Sequence, residues 1–226
     1  MLGDLSVEKI LDISTGKGQF IGFLDEYLGG YHELTGIDPD TESLSEAAAG
    51  FTRANIKLLE MRAQQLTFPD ESFSMATISR GLHHLAGLPL CLAEIHRVLH
   101  KQGYFLISEM YADVESEAEK NAVLLHHMRA DIDHLLHIDH YHTFTRQELQ
   151  EIPARAGFEL IGKIDFQPEN RKTSEELFED AALHLERIKD FPEHSGFQSQ
   201  LEGIRLRIEK FGTDTPRHLL MLCRKF

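Results

Sequence analysis

The chain has 226 residues, 42% of them hydrophobic, and a formal net charge of −14. That length suits one large domain or one domain with an elaborated cap, and the apolar content excludes general disorder. The acidic balance disfavours nucleic acid and anionic membranes, which a basic stripe would grip, and leaves a small molecule or a protein as the substrate class.

The apolar stretch at residues 104–108 is far too short to cross a bilayer. Residues 1–9 lack the basic start and apolar run of a signal peptide. The two cysteines, Cys91 and Cys223, stand far apart in no metal or redox spacing. They read as buried apolar residues of a chain kept in the reducing cytoplasm.

Short apolar runs alternate with helical patterns through the first two-thirds of the chain, as βαβ units and a parallel sheet require. Residues 9–14 (KILDIS) read as a buried strand. Apolar residues at helical spacing follow from Phe20 to Leu28, and Gly29-Gly30 stops that helix. Residues 33–38 form a second strand, and Asp40 or Thr41 caps a helix that ends near Gly50. Residues 56–61 and 73–79 supply the third and fourth strands. Pro89 lies in the first turn of a helix running to His100, and Lys101-Gln102-Gly103 turns the chain into a fifth strand at 104–109.

From Ala112 the pattern changes. Residues 116–139 read as one long charged helix, with six histidines between His126 and His142. Thr145 and Glu148 have capping-box spacing, and the helix they start ends at Gly157. Residues 158–166 form a sixth strand, residues 173–189 and 197–211 two helices, and residues 216–226 a last strand. The whole is expected to be a single domain, 1–226, with helical insertions at about 112–143 (a lid) and 173–211. The second insertion either covers the acceptor pocket or makes a dimer contact.

Asp12-Ile13-Ser14-Thr15-Gly16-Lys17-Gly18 joins the first strand to the first helix. Glycines there let the backbone approach a ligand, and the helix N-terminus offers unpaired N–H groups. Asp38, 20 positions beyond Gly18, ends the second strand, where an acidic side chain hydrogen-bonds ribose hydroxyls. Loop and acid together imply a nucleoside-containing ligand. They leave NAD and S-adenosylmethionine both open.

The segments LDISTGKGQF (11–20), LTGIDPD (34–40), AQQLTFPDESF (63–73) and LAEIHRVLHKQGYFLISE (92–109), in this order, resemble the class I methyltransferase family. The resemblance is closest to its small-molecule branch, which includes the ubiquinone and menaquinone C-methyltransferases, and FTRQELQEIPARAGFEL (144–160) continues it. It implies a Rossmann-like doubly wound α/β fold, seven strands in the order 3-2-1-4-5-7-6, the seventh antiparallel. It implies S-adenosyl-L-methionine as cofactor, with Asp12, Ser14, Thr15, Gly16, Lys17 and Gly18 facing its amino-acid end. Asp38 would hold the ribose, Pro39 would lie beside the adenine with Arg62, Ala63 and Gln64, and Ser79, Arg80 and Gly81 would lie under the sulfonium. Ser14 stands where the family commonly has its first glycine. Family members also often carry helices before the first strand, a role the 112–143 insertion is expected to take over.

Methyl transfer from a sulfonium needs alignment above all, and a base only when the nucleophile arrives protonated. His83 or His84, after the fourth strand, is the candidate base; shaping the pocket floor is the alternative. Glu109 and Tyr111 are expected to border the acceptor pocket. His127, Asp131 and His134 share one helical face at i, i+4 and i+7, and Asp133 and His137 form a second pair. Such spacing suits metal ligands, but no cysteine reinforces it, and a lid lining the acceptor entrance is the better reading. No metal is expected. The competing functions are a protein that binds S-adenosylmethionine or S-adenosylhomocysteine without turnover, and an NAD-dependent oxidoreductase.

Overall fold

The structure, a computed structural model, describes residues 2–3, 5–51, 53–169 and 173–226. Its spine is a seven-stranded mixed sheet in the order β3-β2-β1-β4-β5-β7-β6, the order expected from the sequence. The strands are β1 (Ser6–Ile13), β2 (Gly30–Asp38), β3 (Ile56–Glu60), β4 (Phe73–Ser79), β5 (Leu99–Met110), β6 (Phe158–Phe166) and β7 (His218–Lys225). The helices are α1 (Gln19–Tyr27), α2 (Thr41–Gly50), α3 (Leu88–Val98), α4 (Glu117–Leu135), α5 (Arg146–Arg155), α6 (Ser174–Glu186) and α7 (His194–Phe211).

β1 is the pivot. It pairs in parallel with β2 on one side and β4 on the other, so the strand order reverses around it. Ile13 is level with Ile37 on β2 and with Ile78 on β4. The loops after β1, β2 and β4 therefore leave the same carboxyl edge, the edge at which open α/β sheets bind ligands. Ile10, Leu11 and Ile13 are buried outright, as strands covered on both faces require.

Asp40 caps α2, its side chain accepting the Glu42 amide at 3.0 Å. α3 stops at Val98, two residues short of the expected His100, because Leu99 already pairs with Phe73 on β4. A register shift between Phe73 and Met75 absorbs the irregularity. Residues 101–103 consequently lie inside β5, with Gln102 at φ 62°, rather than in a turn before it.

The chain divides into two compact units. The first comprises residues 1–109, 150–164 and 220–226 and holds most of the sheet; the second gathers residues 110–149 and 165–219. Within the second, Leu125, Met128 and Ile132 of α4 pack on Ala181, Leu185 and Ile188 at α6 and on Ile204 and Ile208 of α7. Polar groups fix the same helices. Asn121 donates to the Gly212 carbonyl at 2.8 Å and accepts from Arg207 at 3.0 Å. Among the described residues, no helix is long and apolar enough to cross a membrane.

Candidate active site

The loop after β1 is braced from below and tied sideways. Asp12 is 1% exposed, its Oδ1 accepting the Thr77 hydroxyl at 2.6 Å and its Oδ2 the Thr15 hydroxyl at 2.8 Å. Burial, only partly offset by those two hydroxyls, pushes its carboxyl up to about 6. Asp12 was expected to face the ligand's amino-acid end. Its carboxylate turns inward instead and holds the loop in place.

Thr15 donates its amide to the Ile37 carbonyl at 3.0 Å, and its hydroxyl lies 2.7 Å from where a Cβ on Gly36 would be. Only glycine at 36 lets the loop settle this close to β2. Gly16 has φ 51° and open space where a Cβ would project; its amide donates to Asp38 Oδ2 at 2.9 Å. Asp38 Oδ1 accepts the Asp40 amide, also at 2.9 Å. Each carboxylate oxygen keeps a lone pair for a further donor. An uncrowded glycine backbone beside an anchored carboxylate fits a ribose-bearing ligand.

Ser14 and Arg80 both take left-handed backbone, φ 54° and 50°, on the loops after neighbouring strands. Residues forced into that region cluster at ligand sites. A Cβ on Gly81 would lie 2.8 Å from the Ser14 Cβ, so these two loops touch. Arg80 reaches across to Gln19 Oε1 at 3.1 Å. Lys17 pairs with Glu46 at 2.7 Å, with both side chains about half exposed. The residue after Glu60 donates back to Asp38: the Met61 amide bonds its carbonyl at 3.2 Å. Pro39 and Arg62 are exposed, Ala63 is buried, and Gln64 donates to the Ala86 carbonyl at 2.9 Å. Ser79 pairs with Ser108 at the end of the β4–β5 ladder.

The segment 63–73 and the EIHRVL run of α3 form one construction. Arg97 donates to both oxygens of Glu94, to Asp70, and to the Leu66 and Phe68 carbonyls, at 2.7–2.9 Å. Glu94 in turn accepts the Leu66 amide at 2.9 Å. These bonds shape the stretch that follows β3 at the ligand edge.

After Gly81 a single 3-10 turn, Leu82–His84, carries the two candidate bases. His83 is 2% exposed and Glu109 fully buried, with Nδ1 of the imidazole 3.0 Å from Oε2 of the carboxylate. His84 is exposed, its ring centroid 4.3 Å from that of His83.

In the second unit the histidine pattern is answered by a returning segment. His127 Nε2 accepts the Thr143 amide at 3.2 Å and its ring stacks on His142 at 4.1 Å; His142 Nε2 meets Asp131 at 2.8 Å. His134, exposed, lies beside Tyr141. The expected pairing of Asp133 with His137 does not form. α4 ends at Leu135, and His137, at φ 59°, has left the helix. Asp133 instead meets His140 at 2.8 Å and Arg187 at 2.7 Å, with His184 at 3.9 Å. Burial raises its carboxyl, but His140, Arg187 and the charge of His184 together hold it below the ordinary carboxylate range. Sequence reasoning missed this cluster because Arg187 comes from the other insertion, 54 positions away. Tyr111 is buried and donates its amide to the Arg217 carbonyl at 3.3 Å.

Residues 11–107 match the family model described as a methyltransferase domain. The uncharacterized methyltransferase YcgJ of Bacillus subtilis is 31% identical over 108 residues, covering 46% of this chain and 41% of its own length. The demethylmenaquinone methyltransferase of Thermus thermophilus is 33% identical over 112 residues, covering 47% and 50%. The chain thus spans about half the length of the curated relatives it matches. Among solved structures, YcgJ superposes with a TM-score of 0.68 at 19% identity, over 99% of this chain and 94% of that one. An S-adenosylmethionine-dependent methyltransferase from Mesorhizobium loti gives 0.61 at 17% identity, over 100% and 94%. Those two likenesses show a shared fold.

Proposed function

We propose that this chain, whose residues 11–107 are a methyltransferase domain of the class I, S-adenosylmethionine-dependent kind, moves a methyl group from S-adenosyl-L-methionine to a small-molecule acceptor. The observation that carries this reading is the Asp38 carboxylate bonded to the Gly16 amide beside an open glycine backbone. When bound, the cofactor supplies a methyl carbon on a positively charged sulfur. The residues of the chain bind and orient. Asp38 takes the ribose hydroxyls, and Ser14, Thr15, Gly16, Lys17 and Gly18 run along the amino-acid end with Asp12 bracing them from behind. Pro39, Arg62, Ala63 and Gln64 flank the adenine; Ser79, Arg80 and Gly81 underlie the reacting portion.

Alignment lowers the barrier of such an in-line displacement by about 7–11 kcal/mol at best, so no strong catalytic group is required. His83 or His84 accepts a proton where the acceptor carries one. The two insertions elaborate a single methyltransferase domain and select the acceptor, with Tyr111, His127, Asp131 and His134 as candidate contacts. A second copy of the chain across the 173–211 insertion is the partner this reading allows.

The test is acceptor-dependent turnover. The protein is incubated with methyl-labelled S-adenosylmethionine and a panel of quinols, phenols and amines, the quinols being chosen because one relative is a demethylmenaquinone methyltransferase. S-adenosylhomocysteine accumulating with label in an extracted acceptor supports the proposal. Tight cofactor binding with no turnover across the panel favours a non-catalytic binding protein.

A further inference from the structure

Arg129 lies in the second half of α4, within the second unit. His126 stands three positions before it and Asp133 four positions after, so both flank it on one helical face. An arginine and an aspartate at that spacing ordinarily pair. Here Asp133 turns elsewhere: Oδ1 meets Arg187 at 2.7 Å and Oδ2 meets His140 at 2.8 Å. The His140 ring packs in turn on that of His126, the centroids 4.9 Å apart. Among the described residues Arg129 forms no hydrogen bond and no ion pair. The chain holds 37 acidic residues against 23 basic ones, so counter-ions are plentiful, yet none of the described acids is paired with it.

The burial of this side chain is uneven. Nε is sealed from solvent without an acceptor, whereas the residue as a whole is only partly buried. An arginine that merely lays its stem over apolar surface keeps its whole head in water. Sealing Nε gives up the hydration of one edge of the guanidinium, an exception that calls for a reason. It also fixes the direction of the fork and leaves the terminal nitrogens to find an acceptor outside the chain.

We propose that Arg129 is an oxyanion receptor that determines acceptor specificity: the molecule receiving the methyl group carries a carboxylate, and Arg129 grips it. The inference rests on the methyltransferase reading and narrows its substrate class. A guanidinium fork offers parallel N–H donors that match the two oxygens of a carboxylate. One unmatched positive charge balances one negative charge, which favours a carboxylate over a phosphate dianion. Hydroxybenzoates rather than the parent phenol, and amino acids rather than a simple amine, are the acceptors this selects. Arg129 keeps its protons throughout. It orients the acceptor and takes no part in making or breaking bonds.

Nitrogen-15 spectra of the arginine-labelled full chain test this without a known acceptor. They are recorded in complex with S-adenosylhomocysteine for wild type, Arg129→Gln and Arg129→Lys, the variants also assigning the Arg129 signal. Each is titrated with acetate, benzoate and 4-hydroxybenzoate, with the neutral amide of each acid, and with inorganic phosphate. The expected result is an Arg129 Nε–H signal that moves saturably with at least one carboxylate and stays still with its amide. Arg129→Gln should weaken that carboxylate at least about tenfold, read from ligand relaxation, and Arg129→Lys should recover part of the loss. S-adenosylhomocysteine affinity should stay within about twofold of wild type in both variants. An arginine with a packing role alone would be indifferent to every probe. The inference is overturned if no carboxylate moves the signal, if the amides move it equally, or if phosphate binds more tightly than every carboxylate. A fall of about tenfold or more in S-adenosylhomocysteine affinity in Arg129→Gln would also overturn it, since the oxyanion would then be the cofactor's own carboxylate. Should Arg129→Gln fail to fold, Arg129→Lys gives the assignment and the wild-type titrations decide. If S-adenosylhomocysteine does not bind wild type, the methyltransferase reading fails first; binding with an Arg129 signal unmoved by every carboxylate overturns this inference alone.

Discussion

Asp38 and Gly16 lie 22 positions apart in sequence, and the carboxylate of one accepts the amide of the other at 2.9 Å. That bond ties the end of β2 to the loop after β1, the two strands whose junction with β4 reverses the sheet order. Because Oδ1 accepts the Asp40 amide as well, the carboxylate is held rigid by backbone before any ligand arrives. A preorganised acceptor of this kind spends no further entropy on ordering when it meets a pair of hydroxyls.

Asp12 gives a pH-dependent stability of unusual sign. Its folded carboxyl lies at about 6, above the ordinary 3.8, so the folded chain keeps a proton that the unfolded chain has released. Stability therefore falls as pH rises from about 4 to about 6 and stays reduced above that window, by about 3 kcal/mol in order of magnitude. Urea unfolding of wild type and Asp12→Asn at pH 4 and pH 7.5 should show this slope in wild type and its loss in the variant.

Arg97 should be the costliest surface-edge residue to remove from the first unit. Arg97→Ala leaves two carbonyls and the Glu94 carboxylate without their donor, a loss of about 2–3 kcal/mol. Arg97→Lys should recover only part, since an ammonium cannot reproduce the forked geometry. Denaturant midpoints at unchanged slope measure both.

Ser14 and Gly81 should be energetically coupled. Ser14→Gly relieves a left-handed φ of 54° and should stabilise by about 0.5–1 kcal/mol. Gly81→Ala should destabilise by about 1–3 kcal/mol, its Cβ meeting Ser14 Cβ at 2.8 Å and Ile78 at 2.9 Å. In the double variant the alanine should cost about 1 kcal/mol less, the Ile78 contact remaining.

The second unit should weaken in acid. Asp133 is held below the ordinary carboxylate range, so its contribution is complete above that range and is lost as pH falls through its folded value. Arg187→Ala should destabilise by about 1.5–3 kcal/mol at neutral pH by leaving a buried carboxylate short of its cation. The loss should be smaller near pH 3, as thermal melts at the two pH values would show.

Most of the sheet was legible because its strands are short runs bounded by turn residues, whereas the start of β5 was not, since Lys101-Gln102-Gly103 read as a turn but lie inside the strand; strand order followed from resemblance. Glu94 and Arg97 were visible as a motif, while their work on Leu66 and Phe68 was not, since backbone carbonyls leave no mark in a sequence. The inward turn of Asp12 depends on hydroxyls at Thr15 and Thr77, the latter 65 positions away. Asp133 misled for a local reason: helical spacing pointed to His137, but the helix stops first and the chain folds back to deliver His140.

Calorimetric titration with S-adenosylhomocysteine and with NADH, on wild type and Asp38→Ala, bears most directly on the methyltransferase reading. Micromolar binding of S-adenosylhomocysteine that weakens at least about tenfold in Asp38→Ala, with no heat from NADH, is the predicted result. Tight NADH binding, or S-adenosylhomocysteine binding untouched by loss of the Asp38 carboxylate, would contradict it.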